Sequence, residues 1–300
     1  MRNVGIAFDN FSGNTGDEAI GISVKKILNS FDISFVELYS CSETQKFGPI
    51  IIGGGHLLRE LTAEPVYKQF RIRGNHILNA MGIHGSPEDL DYLEEYAYVS
   101  VRSQGDRNKI EYVDKVNTVP CTTMLLEDLV PFKYKLKPHS IGIHIYPEMF
   151  SSEDMIFFIA WSKFQIKQGH TLYFLPITHY RNDYTLFEPI VNEIGDGCFL
   201  LSNLGALEVF TLIGKLTYMI SYSLHGAIFA YIHNIPFLLA TIYEKNKFFM
   251  ADRDLMSNTF DTISDLLHLF DADKKPDYST LIMNDIRVLR EHLYTINSIL

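Results

Sequence analysis

Val4-Gly-Ile-Ala-Phe-Asp-Asn-Phe-Ser-Gly-Asn-Thr-Gly-Asp-Glu-Ala-Ile20 runs from a short apolar stretch through a loop holding Gly13 and Gly16 into a charged turn. Residues 4–8 read as a buried strand, ended by Asp9-Asn10 and the glycines. A helix is expected next. Ile20, Val24, Ile27 and Leu28 recur at i, i+4, i+7 and i+8, and Asp17 and Glu18 place negative charge where a helix dipole favours it. The same alternation continues outward, with strands expected at 49–52, closing on Gly53-Gly54-Gly55, and at 97–101. Residues 127–138, a polar, proline-flanked stretch, read as an interdomain linker. Beyond it, strands are expected at 140–145, 171–175, 198–201, 217–221 and 236–242, with helices at 154–168, 204–213 and 227–231. Ile286, Leu289, Leu293 and Ile296 predict a closing helix. Alternating strands and helices mean an α/β fold with mainly parallel sheets, whose ligands sit in loops at the carboxyl ends of strands. The expected division is 1–132, 139–275 and a C-terminal helix over 276–300.

Composition narrows the function. The 300 residues are 47% hydrophobic, which excludes a disordered chain. Lys and Arg number 26 against 36 Asp and Glu, a net charge of −10, and no basic block exceeds the pairs Lys25-Lys26 and Lys274-Lys275. No nucleic-acid partner is expected, and no electrostatic footprint for an anionic membrane. The most apolar stretches, 155–161 and 227–243, are interrupted by Lys163 or by His233, Asn234 and Pro236. No transmembrane segment is expected, and at most a peripheral association with a membrane. The chain reaches Asp9 before any run of signal-peptide length, so no secretory leader is expected. Cys41, Cys121 and Cys198 have no CxxC spacing and indicate neither a disulfide framework nor a thiolate metal site, which fits a cytoplasmic protein. His84, His139, His144, His170, His179 and His233 lack ligand spacing, so no metal is expected.

Several residues could carry chemistry. Glycines between a strand and a helix, as in residues 11–17, let backbone N–H groups approach an anion, although neither a Walker nor a GxGxxG pattern is present. Asp17 reads first as a helix-capping residue and otherwise as a site residue. The glycine triplet at 53–55 reads as a sharp turn or as close backbone approach to a ligand. His225 follows a strand and opens a helix, an address suited to a proton donor or to a histidine hydrogen-bonded under the loop. Arg102, Lys245 and Lys247 follow strands and could meet an anionic substrate or stand as solvated charges.

Taken in order, Gly13-Asn14-Thr15-Gly16-Asp17-Glu18-Ala19-Ile20, Ile51-Ile52-Gly53-Gly54-Gly55, Val101-Arg102 and Ser221-x-x-Leu224-His225-Gly226-x-Ile228-x-Ala230 resemble the polysaccharide pyruvyl transferase family over residues 4–247. The resemblance implies two Rossmann-like domains facing across a cleft, as in GT-B glycosyltransferases, with no cofactor. It implies a phosphoenolpyruvate donor whose pyruvyl group passes to two hydroxyls of a sugar, nucleotide-sugar or lipid-linked glycan as a ketal. By the same resemblance His225 protonates the donor methylene carbon and Asp17 is a second catalytic candidate. Gly13, Asn14, Gly16, Gly54, Gly55, Arg102, Ser223, Leu224, Lys245 and Lys247 are the implied substrate-binding set. Two positions depart from the family pattern. Ser223 stands where the family carries an arginine two residues before the histidine, and Arg102 is followed by Ser103 rather than an aspartate. A hydroxyl cannot replace a bidentate guanidinium, whose contact with an anion contributes ~1.5–3 kcal/mol. Arg181, Arg253 or Lys247 compensates, or the donor has changed, or activity is lost. The rival readings are a GT-B-like glycosyltransferase using a nucleotide sugar and a non-catalytic glycan- or nucleotide-binding protein.

Overall fold

The computed structural model describes residues 4–37, 48–60, 65–127, 129–202 and 204–300; Cys41 lies outside them. The chain divides into two compact units: Met1–Phe11, Asp17–Leu126 and Met283–Leu300 form the first, and Ser12–Gly16 with Glu127–Ile282 the second.

In the first unit, β1 (Val4–Ala7), β2 (Phe35–Glu37), β3 (Ile50–Gly53), β4 (Ile77–Met81), β5 (Tyr98–Val101) and β6 (Val116–Thr118) form an all-parallel sheet in the order β2-β1-β3-β4-β5-β6. Helix α1 (Thr15–Ser30) links β1 to β2, and α2 (Gln104–Lys109) links β5 to β6. Ile50, Ile51 and Ile52 are buried in succession, as expected for a strand covered on both faces. The core gathers Leu78, Met81, Val99 and Val101 with Leu58, Tyr92 and Ile110.

The second unit is also parallel: β7 (Ser140–His144), β8 (Thr171–Phe174), β9 (Cys198–Leu200), β10 (Tyr218–Ser221), β11 (Phe237–Ala240) and β12 (Thr259–Phe260), in the order β12-β11-β10-β7-β8-β9. Read from β7 outward, that is the Rossmann order 3-2-1-4-5-6. Connecting helices are α3 (Ser152–Lys167), α4 (Asp183–Ile194), α5 (Ala206–Ile213), α6 (Leu224–Ile232), α7 (Glu244–Ala251) and α8 (Ile263–Leu269); α9 (Ser279–Ile299) closes the chain. Helix α3 begins with a capping box in which Ser151 and Asp154 satisfy each other's backbone amides, and Gly169 follows its end at a φ of 93°. Helix α6 is buried from Leu224 to Tyr231, so its Leu-His-Gly-Ala-Ile-Phe-Ala-Tyr sequence has no solvent face.

The sheet order fixes where ligands fit. Strand order reverses beside β1 and β3 in the first unit and between β7 and β10 in the second, and parallel α/β sheets bind ligands outside the carboxyl ends at such points. Among the described residues, no helix is long and apolar enough to cross a membrane.

Candidate active site

At the second unit's switch point, Ser221 at the end of β10 is in register with His144 at the end of β7, and the Tyr222 amide donates to the His144 carbonyl at 2.9 Å. The chain then turns into α6. Ser221 Oγ donates to the Ser223 carbonyl at 2.7 Å, and a Cβ on Gly226 would strike that hydroxyl, so glycine is required for the turn to close. Ser223 stands at the cap position without a capping side-chain hydrogen bond, Leu224 is buried behind it, and His225 lies in the first turn, 5% exposed.

The glycine loop reaches His225 within the same unit. The Thr15 amide donates to the Ile177 carbonyl at 3.1 Å, Asn14 bridges Thr178 in antiparallel fashion, and Gly13 takes a φ of 71°, where a Cβ would stand 3.5 Å from His179 Cβ. Asn14 Oδ1 accepts the Gly16 amide at 2.8 Å, capping α1. Gly16 packs against the Nδ1 edge of His225 so closely that a Cβ there would overlap the imidazole. Gly16→Ala is therefore expected to displace the ring or cost about 1–3 kcal/mol. The measurement is the urea midpoint together with the His225 imidazole resonances. If both stay unchanged, there is room for a methyl group and the close packing is refuted.

Beneath this loop lies a polar cluster that motif spacing does not reveal. His144 Nε2 is 3.1 Å from Asp183 Oδ2 and 2.9 Å from Thr178 Oγ1, with His144 and Asp183 both fully buried. Asp183 Oδ2 also accepts the amides of Ile177 at 3.0 Å and Thr178 at 2.6 Å. Burial works to raise the Asp183 pKa, but the His144 hydrogen bond and charge, with the two amides, outweigh it and hold the carboxyl below its ordinary range. The cluster thus fixes the 177–178 turn that pairs with the glycine loop. A turn residue followed five positions later by an aspartate opening a helix was the available signal, but it is too common to stand out.

The three proposed substitutes for the missing arginine stand in different settings. Arg253 is buried, donates to the Phe249 carbonyl at 3.1 Å and covers the Phe249 ring, so it is committed to packing. Lys247 is exposed on α7. Arg181 follows β8, at the same end of the sheet as His225. Lys245 lies over the Tyr243 ring at 5.2 Å after β11.

The first unit joins other expected residues. The Asp17 carboxylate stands over Gly55 where a Cβ would meet its oxygen, and a Cβ on Gly54 would meet Ile20. Gly54 and Gly55 hold φ values of 86° and 70°, so the triplet both turns the chain and admits the start of α1. Arg102 follows β5 and is 8% exposed; its guanidinium and the His56 ring both press on the open face of Gly82. Its Nε is 3.9 Å from Asp106, while one terminal nitrogen is buried without a hydrogen-bond partner among the described residues. A buried guanidinium with an unused donor is suited to an anion.

Three comparisons bear on these features. The family model for polysaccharide pyruvyl transferase matches residues 14–242. The sequence matches no curated protein. Among solved structures, the fold is similar to UDP-GlcNAc 2-epimerase from Methanocaldococcus jannaschii, with a TM-score of 0.55 and 10% identity over 97% of this chain and 99% of that one. It is similar to S. aureus MnaA in its UDP co-structure, at 0.55 and 11% over 98% and 91%, and to a glycosyltransferase from Rickettsia africae, at 0.55 and 12% over 99% and 97%. At such identities the likeness shows the fold, two Rossmann-like α/β domains of the GT-B type. The family match begins in the glycine loop and ends just past β11, spanning the His225 turn, and on it the chain belongs to the polysaccharide pyruvyl transferase family.

Proposed function

We propose that the chain transfers the pyruvyl group of phosphoenolpyruvate to two hydroxyls of a sugar, nucleotide-sugar or lipid-linked glycan, with His225 as general acid. The observation that carries this reading is the placement of His225, buried at the start of α6 outside the switch point, with its Nδ1 edge against Gly16. The opposite nitrogen, Nε2, is assigned the proton. Its transfer to the donor methylene carbon makes C2 electrophilic; the first hydroxyl adds there, and its proton returns to His225. Phosphate then leaves, the second hydroxyl closes the ketal, and that hydroxyl's proton passes to phosphate or solvent. Arg102, with its unused buried donor, is proposed to hold an anionic group, and Asp17, fixed over Gly55, to assist as the second catalytic residue beside His225. Gly13, Asn14, Gly54, Leu224, Lys245 and Lys247 complete the proposed binding set. The proposed compartment is the cytoplasm: Cys121 and Cys198 are buried free thiols, and burial pushes Cys198 up to about 12, which keeps it protonated and unreactive.

The test is phosphate release from phosphoenolpyruvate with a panel of sugar acceptors. Release that depends on both donor and acceptor supports the reading; its absence with every acceptor, together with no donor binding, removes it. Ser223 favours a second reading, a changed donor such as a nucleotide sugar or binding without catalysis. Ser223→Arg separates the two. Under the first reading it should tighten phosphoenolpyruvate binding about tenfold or more, the effect of one charge-assisted contact. No binding by wild type or variant would leave the second reading standing.

A further inference from the structure

Arg181 lies in the second unit's carboxyl-end loops, in an unusual setting for a surface arginine. Its guanidinium stacks 4.3 Å from the centre of the Tyr146 ring, at the end of β7, and one terminal nitrogen lies 3.4 Å from the Tyr243 hydroxyl, at the end of β11. The other terminal nitrogen is paired with the Glu148 carboxylate. Nε is buried and has no hydrogen-bond partner among the described residues. Tyr146 is also 5.6 Å from Tyr222, centre to centre, and Tyr222 immediately precedes Ser223 in the chain. On the other side Tyr146 meets Tyr243, whose ring carries Lys245.

A planar guanidinium fixed by an aromatic face and a phenol loses little freedom when it takes a carboxylate or phosphate in a fork. Here one carboxylate of the chain, half-exposed Glu148, already occupies part of that fork. We propose that Arg181 is the anion-binding group of this loop cluster, taking the carboxylate or phosphate of a small donor in place of the guanidinium that Ser223 lacks, and that Glu148 holds it as an internal competitor until the donor arrives. The identity of the anion rests on the phosphoenolpyruvate reading above; the existence of the site does not.

The two members of the pair then have opposite effects. Arg181→Met should weaken binding of a small anion about 10- to 150-fold, the range of a charge-assisted fork, and Glu148→Gln should tighten it several-fold by removing the competitor. An ion pair that serves only stability predicts lower stability in both variants and no change in anion affinity. Calorimetric titration of the full chain with phosphoenolpyruvate, and separately with inorganic phosphate, reads this directly. Arg181→Lys keeps the charge without the fork, and covers the case in which Arg181→Met does not fold; it should also bind more weakly. If wild type binds phosphoenolpyruvate and neither Arg181 variant differs from it, the site is overturned and the donor reading survives. If wild type does not bind phosphoenolpyruvate, yet Glu148→Gln binds phosphate and the double variant with Arg181→Met does not, the site stands and the donor reading falls. If Glu148→Gln binds neither anion, both fall.

Discussion

His225→Ala is expected to lower phosphoenolpyruvate turnover about 10²- to 10⁴-fold, the usual loss when a positioned general acid is removed. Donor affinity should change by less than about tenfold, because in the proposed reaction the imidazole acts on the reacting carbon while other side chains hold the anionic groups. Single-turnover phosphate release measures the first quantity and calorimetric titration the second. His225→Gln keeps much of the ring's bulk beside Gly16, so a similar rate loss there would show that the proton matters and not the packing. Equal rates in wild type and both variants would remove His225 from the chemistry and return it to a histidine packed under the loop.

A second large effect concerns stability and acid. His292 on α9 is 2% exposed in the first unit. Its Nε2 lies 2.8 Å from Asn79 Oδ1 and its Nδ1 lies 3.1 Å from the Tyr98 hydroxyl. The Asn79 oxygen can only accept, so Nε2 carries a proton, and in the neutral imidazole Nδ1 then accepts from the Tyr98 hydroxyl. Burial lowers the His292 pKa from 6.5 to about 4. The unfolded chain therefore binds a proton between those values that the folded chain refuses. The stabilising difference is complete above 6.5 and is lost as pH falls towards 4, about 3 kcal/mol in all. Urea unfolding from pH 7.5 to 4 in wild type and His292→Gln tests this. The wild type should lose about 3 kcal/mol more than the variant across the window, since the other titrating groups are common to both. Parallel curves would show that His292 is protonated without cost.

The same contact explains what could not be read in the sequence. Strand β4 lies between β3 and β5, yet its Ile-Leu-Asn-Ala-Met sequence carries Asn79 in the middle, and its pairing with β5 slips between Leu78 and Met81, where Ala80 takes a φ of 44°. His292 satisfies the Asn79 oxygen from more than two hundred residues away, a relation no local window contains. Short strands β2, β6 and β12, of two or three residues, fall below any periodic signal. Strands β1, β3, β5, β7, β8, β9, β10 and β11 were legible because parallel strands covered on both faces leave short, mostly apolar runs between turn residues. At the candidate site, the glycine loop and the His225 turn were legible because backbone demands force particular residues there. The His144–Asp183 cluster and the stacking of Arg181 on Tyr146 were not, since each is assembled from the ends of strands distant in sequence.

The two units are woven through the chain rather than strung along it. Segment Ser12–Gly16 groups with the second unit and Met283–Leu300 with the first, although the linker at 127–138 looks like the natural place to recombine two relatives. A chimera crossed over only there would seat one parent's Gly16 against the other parent's His225, and one parent's His292 against the other's Asn79 and Tyr98. Both are pairs that must fit within a few tenths of an ångström. A hybrid made from this chain is thus expected to fold only when residues 12–16 travel with the second unit and 283–300 with the first, which adds three junctions beyond the linker.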